Sequence, residues 1–164
     1  MKLQKNNFHT VRHYNNILPD EVCDALIEMF EINTQKKKKI NENHKPCFTQ
    51  LNINLDIPSL VPGLVQYTKL AYKKYSGDIQ SPYLPTLDYM EEFRIKRYCP
   101  GGEERFDEHV DVTDHASARR SVAFLFYLND QYGGGELEFY DLGLTIKPKK
   151  GMMIAFPSYK DFAH

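Results

Sequence analysis

Apolar positions recur at helical spacing in the first half of the chain and alternate with polar ones in the second. From residue 19 to about 35, Val22, Leu26, Met29 and Phe30 make one stripe, which predicts an amphipathic helix opened by Pro19 and Asp20. Cys23 lies beside that stripe and reads as a packing residue. The lysine run 36–39 follows it and reads as a solvated helix end, favourable beside the C-terminal dipole. Residues 36–58 are polar and irregular, with one short strand expected at 50–55. A second helix is expected over Pro62 to Tyr75, with Leu64, Val65, Thr68, Leu70 and Ala71 on its apolar side. Two prolines within 81–85 then break the chain.

From Tyr89 onward strands and turns take over. Expected strands are 91–98, 106–111, 121–128, 136–140, 144–147 and 152–156. The turns between them are marked by Pro100-Gly101-Gly102, Asn129-Asp130, Gly133-Gly134-Gly135 and Pro148-Lys149-Lys150-Gly151. Short strands at close spacing indicate a sandwich or barrel, and the two helices would buttress one of its sheets. The expected fold is therefore mainly β with N-terminal helices. It is one domain, 1–164, with a helical support region at 1–88 and a β core at 89–164.

Composition narrows the function. A chain of 164 residues buries roughly 70% of its unfolded surface as a single domain. The net charge of -1 argues against a general nucleic-acid binder. No apolar run approaches the ~18 residues of a membrane span, and the first residues carry no apolar signal segment. Cys23, Cys47 and Cys99 are odd in number and share no metal-type spacing, which points to reduced thiols and a cytoplasmic setting.

The candidate chemistry is concentrated in His109-Val110-Asp111 and a distant His164. Side chains two apart on a strand share a face. A late histidine would complete a two-histidine, one-carboxylate site of the kind that holds Fe(II) on one side and leaves its other positions open. Taken alone HxD is a weak signal. His115 with Asp114 is a rival pair, although Ala116-Ser117-Ala118 reads as a loop. His9, His13 and His44 read as surface or turn residues.

The surrounding blocks raise the specificity. These are Arg97-Tyr98-Cys99-Pro100-Gly101, His109-Val110-Asp111, Arg120 with Tyr127-Leu128-Asn129, Gly134-Gly135-Glu136-Leu137, Pro148-Lys149-Lys150-Gly151, and Phe156 with His164. In order and spacing they resemble the iron(II)/2-oxoglutarate dioxygenases, most closely the prolyl 4-hydroxylase-type branch, over residues 91–164. The resemblance implies a double-stranded β-helix, a jelly-roll-like (cupin-like) core. It implies that His109, Asp111 and His164 ligate Fe(II) and form the catalytic centre. It further implies that Tyr127 hydrogen-bonds the distal carboxylate of 2-oxoglutarate and that Tyr98, Leu125 and Leu137 line the co-substrate pocket. Arg120 matches an arginine near the substrate mouth, with pairing to Glu136 or Glu138 as the plainer alternative. The co-substrates would be 2-oxoglutarate and O2, with ascorbate as an accessory reductant.

The implied reaction is hydroxylation of an unactivated C–H with decarboxylation of 2-oxoglutarate to succinate. Asp111 favours hydroxylation, since related halogenases lack that carboxylate. The expected substrate is a prolyl or other protein or peptide residue. A free amino acid or small metabolite is the second reading, and a catalytically silent metal-binding interaction protein the third. In the family a basic residue soon after the distal histidine pairs with the far carboxylate. The sequence stops at His164, so that residue and the closing strand are expected to be missing, with an exposed sheet edge that invites a homodimer.

Overall fold

Helices α1 (Asp20–Ile32) and α3 (Val61–Ile79) pack on the outer faces of two three-stranded sheets. The computed structural model describes residues 10–41, 46–101, 104–131 and 133–164. His9, His44 and Gly102 lie outside them. The α1 stripe buries Cys23, Leu26 and Phe30, as the spacing predicts. The helix ends where the Asn33 side chain donates back to the Met29 carbonyl at 2.7 Å. Pro62 sits in the first turn of α3, where its missing N–H costs nothing, and the helix stops at Gln80 in a left-handed conformation. Its inner face is Thr68, Ala71 and Tyr75. Leu70 is 64% exposed instead of packed, because at 100° per residue it points away from the Thr68–Ala71–Tyr75 line.

The first sheet runs β1 (Arg12–Tyr14), β8 (Met153–Pro157), β5 (Val122–Phe126), all antiparallel, with Leu125 opposite Ile154. β8 is buried on both faces. Met153 and Ala155 pack with Tyr14 against Ala71 and Tyr75 of α3, while Ile154 and Phe156 turn inward to Phe139, Ile146 and Phe162. The second sheet is β2 (Lys38–Asn41), β3 (Cys47–Asn52), β4 (Arg94–Arg97). Here Leu51 and Ile95 cover Phe30 or Leu26 of α1. The third is the hairpin β6 (Leu137–Phe139), β7 (Leu144–Ile146). Its connection is a short turn, Tyr140–Leu142, closed by Gly143 at φ +59°.

Three expectations change. The lysine run is not a helix end, since α1 stops at Ile32 and Lys38 and Lys39 belong to β2. Lys37 pairs with Glu31 and Lys36 donates to the Asp56 carbonyl, so these side chains fold back onto neighbours. The strand expected at 50–55 lies at 47–52, and Ile53–Asp56 form a short helix, α2. Asn52 caps α2 by accepting the Leu55 N–H, and that local bond outcompetes continued strand pairing. Residues 106–111 join no regular ladder, and other bonds hold that segment. Among the described residues no helix is long and apolar enough to cross a membrane. All three cysteines are free, Cys23 and Cys47 buried and Cys99 exposed.

Candidate metal centre

His109 and His164 meet through their backbones. Each N–H donates to the other's carbonyl at 3.0 Å, a two-residue antiparallel pair outside the regular sheets. Val112 N–H donates to the Ser158 carbonyl at 3.1 Å, so the HxD segment is stitched to the chain that leaves β8. The turn at 159–162, closed by Phe162 N–H on the Tyr159 carbonyl, brings His164 back over Phe156.

This pairing brings His109, Asp111 and His164 together, with one potential ligand atom of each within 4.8 Å of the others. His109 Nε2 stands 3.9 Å from an Asp111 carboxylate oxygen. Both imidazoles are oriented in the same way. Nδ1 of His109 lies 2.9 Å from the Asp107 carbonyl, and Nδ1 of His164 lies 2.9 Å from the Phe162 carbonyl. A carbonyl oxygen only accepts, so each Nδ1 carries the proton and each Nε2 keeps its lone pair. That is the tautomer a metal-ligating histidine needs, with its outer N–H held by a backbone acceptor.

The rings are also clamped. Phe106 stacks on His109 at 3.7 Å with planes 8° apart, and Phe156 meets His164 edge-on at 4.5 Å. Burial pushes the His109 pKa down, and the neighbouring His164 lowers it further against the opposing pull of the Asp107 carbonyl and Asp111. The imidazole therefore stays neutral, as a ligand must. Two imidazoles and one carboxylate suit non-haem Fe(II). Among the described residues no fourth His, Cys, Asp or Glu joins the group, which leaves positions for co-substrates. An open cleft of about 540 Å³ borders His164, with Phe106, Glu108, Leu137 and Glu138 in its lining.

The other expected residues surround this centre. Leu125, Tyr127 and Leu137 pack against the cluster of Phe139, Ile154 and Phe156 that supports His164. Tyr127 is held on both sides of its peptide, donating to the Met152 carbonyl and accepting from Gly151, each at 2.9 Å. Tyr98 leans on Phe48 at 5.4 Å, and Phe48 in turn meets Phe106 at 5.8 Å. Solvent reaches the Tyr98 ring, yet the surrounding protein pushes its phenol up to about 12. Arg120 pairs with neither Glu136 nor Glu138. Its guanidinium donates to Glu91 and to the Asp111 carbonyl, both at 2.8 Å, because the turn before β5 aims it back at the HxD segment. Asp114 is occupied by a turn with Ser117, and His115 is exposed beside it, so the rival ligand pair is a surface turn.

Sequence reading missed two residues. Phe106 supplies the stacked wall of His109. Lys96 precedes Tyr98 by two positions on β4, and its ammonium lies over the Phe48 ring at 4.8 Å and the Phe106 ring at 5.0 Å. Period-2 counting back from Tyr98 would have placed Lys96 on the same side as Tyr98.

A two-histidine, one-carboxylate centre between sheets backed by helices defines a non-haem iron oxygenase type of site. Residues 93–164, which contain the whole triad, match the family model of the 2OG-Fe(II) oxygenase superfamily. The second half of the chain thus matches a 2OG-Fe(II) oxygenase domain, and the fold is prolyl hydroxylase-like. It superposes on the viral collagen prolyl hydroxylase of Paramecium bursaria Chlorella virus-1 in its 2OG complex, with TM-score 0.69 and 23% identity, over 94% of this chain and 86% of that one. A Pseudomonas putida prolyl-4-hydroxylase gives TM-score 0.68 and 19% identity, over 94% and 84%. No curated protein sequence matches the chain.

Proposed function

We propose that this protein hydroxylates an unactivated C–H of a prolyl or other peptide residue while 2-oxoglutarate is converted to succinate and CO2. The observation that carries the reading is the shared orientation of His109 and His164, whose Nδ1 atoms are both spent on backbone carbonyls and whose Nε2 atoms converge with Asp111. The two solved relatives named above are prolyl hydroxylases, which favours proline as the first acceptor to test.

In this reading His109, Asp111 and His164 hold Fe(II). Bound iron, with 2-oxoglutarate and O2, supplies the oxidising power for C–H hydroxylation. The chain's own residues orient and exclude. Tyr127 offers a hydroxyl to the far carboxylate of 2-oxoglutarate, and Tyr98, Leu125 and Leu137 wall the co-substrate off from water. Arg120, through the Asp111 carbonyl, holds the carboxylate ligand in place at the substrate mouth. The core these residues line is a double-stranded β-helix within one domain.

The test is incubation of the chain with Fe(II), ascorbate, 2-oxoglutarate and O2 against proline-rich peptides and a panel of free amino acids and small metabolites. A peptide that gains one oxygen atom, matched by one succinate, supports the reading. Oxygen transfer confined to the metabolites would move the substrate class to small molecules. Absence of succinate under every condition would overturn the enzyme reading in favour of a silent metal-binding protein.

A further inference from the structure

The cleft beside His164 runs between two stretches of backbone. One wall is residues 105–108, and the other is β6 with Glu136 just before it. At one end the chain itself stands between the walls. His164 hydrogen-bonds the backbone of His109 on one side, and its ring lies 5.7 Å from that of Phe139 in β6 on the other. The cleft continues this strand position alongside residues 105–108. Four residues of wall correspond to ~13 Å of extended chain, at ~3.3 Å per residue. Among the described residues β6 pairs with β7 alone, so its other edge has no strand partner. Such an edge is a template for a further strand.

The lining sets the chemistry of that strand. Leu137 and Phe139 turn to the core, so Glu136, Glu138 and Tyr140 share the opposite, exposed face of β6. Glu108 is exposed on the facing wall. Among the described residues Arg105 is the one Lys or Arg in the lining, and it pairs with Asp107 at 2.8 Å. Glu108, Glu136 and Glu138 have no ion-pair partner among the described residues. The Tyr140 phenol is held above its ordinary value by its hydrogen bond to Glu138 and by the charges of Glu138, Glu108 and Asp107. Carboxylates of both walls therefore bear on one point. The cleft carries uncompensated negative charge in a chain whose net charge is only -1. Opposite charges across adjacent strands attract and like charges repel, so the rim favours cationic side chains at period 2, matching Glu136 and Glu138. The alternate side chains of the same strand would meet Leu137 and His164, which favours apolar residues there.

We infer that the cleft is a strand-addition site for an extended peptide of a partner protein, in which lysine or arginine alternates with apolar residues. Main-chain bonds to the unpartnered edge of β6 supply the affinity, and Glu108, Glu136 and Glu138 select the side chains. This interaction is separate from the oxygenation reading above and does not depend on it.

The experiment is fluorescence anisotropy of a labelled Lys-Val-Lys-Val-Lys-Val peptide titrated with the full chain. One control replaces every lysine by glutamate. A second keeps the lysines and N-methylates the three valines, which removes main-chain donors without changing the charge. The protein variant is Glu136→Gln combined with Glu138→Gln, two exposed positions, with thermal melts to check that it is folded. The expected result is saturable binding of the lysine peptide, about tenfold weaker in the double variant, as removal of two exposed charge pairs implies. Neither control peptide should bind. Absence of binding, unchanged affinity in the folded double variant, or equal binding of the N-methylated peptide overturns the assignment. A concentration-dependent dimer by light scattering that excludes the peptide overturns it as well, by giving the cleft to a second copy of the chain.

Discussion

His109 and His164 hydrogen-bond each other's backbone in both directions, and their rings stand 4.4 Å apart between centroids. The two histidines are therefore positioned as a unit before any metal arrives. A centre assembled in this way loses little on metal binding to reordering of its ligands, and its parts are separable by substitution.

Removing a ligand should abolish metal binding without unfolding the chain. His109→Ala and Asp111→Ala change half-buried side chains whose backbone bonds persist. The expected outcome is a loss of Co(II) or Fe(II) affinity of at least about 100-fold, beyond what outer-shell changes cause. Circular dichroism should be unchanged. Retained affinity in either variant would show that the triad is not the metal centre.

Phe106→Leu tests the stacked wall. The substitution keeps apolar cover but removes the ring that lies on His109 at 3.7 Å and under Lys96 at 5.0 Å. Aromatic stacking of this kind contributes about 0.5–1.5 kcal/mol. Metal affinity should fall by up to about tenfold, measured by competition with a chromophoric chelator, with global stability nearly unchanged.

Gly151 is the backbone position least tolerant of a side chain. Its φ is +72°, and a Cβ there would stand 2.4 Å from the Leu18 carbonyl oxygen. The Gly151 carbonyl accepts from Ile17 and Leu18, while its N–H donates to Tyr127. Gly151→Ala should destabilise the chain by about 2 kcal/mol or more, the left-handed cost of roughly 1–2 kcal/mol plus the clash. Urea denaturation reads the loss, and a change below 0.5 kcal/mol (about the noise of a surface substitution) would contradict the geometry.

The apo-protein should weaken as pH falls below about 6.5, the ordinary histidine value. His109 has a lowered pKa in the folded state, so just below 6.5 the unfolded chain binds a proton that the folded chain resists. Stability is thus present above the unfolded value and erodes as pH drops toward the folded one. Glu31 and Asp114, whose pKa values are also lowered, act only in the more acidic carboxylate range. Urea melts of apo-protein between pH 7.5 and 5.5 should show the slope, and His109→Gln should flatten it.

Phe156→Ala probes the support under the centre. The ring is fully buried, T-shaped to Phe139 and edge-on to His164. Truncation should cost about 3–5 kcal/mol by loss of packing and creation of a cavity. Metal affinity should fall together with stability, which isothermal denaturation with and without Mn(II) would resolve.

Much of this molecule is determined locally. The α1 stripe of Val22, Leu26, Met29 and Phe30 needs only helical periodicity to be read, and so does the long apolar run that becomes β5. The HxD spacing and the blocks around it likewise announce a site, because ligand identity and turn residues are properties of short segments. Other features are decided by competition between segments. Asn52 ends β3 with a cap that periodicity does not reveal, and Lys38 and Lys39 enter β2 because Thr49 and Gln50 are there to pair with them. Arg120 turns to Glu91 instead of to the acidic residues nearer in the sequence pattern. Tertiary structure alone brings His164 to His109, through a turn after β8, and sets Phe106 and Lys96 around them. Those contacts depend on where separate strands are held in space, and that is set by the packing of β8 against α3 on one face and Phe139 on the other.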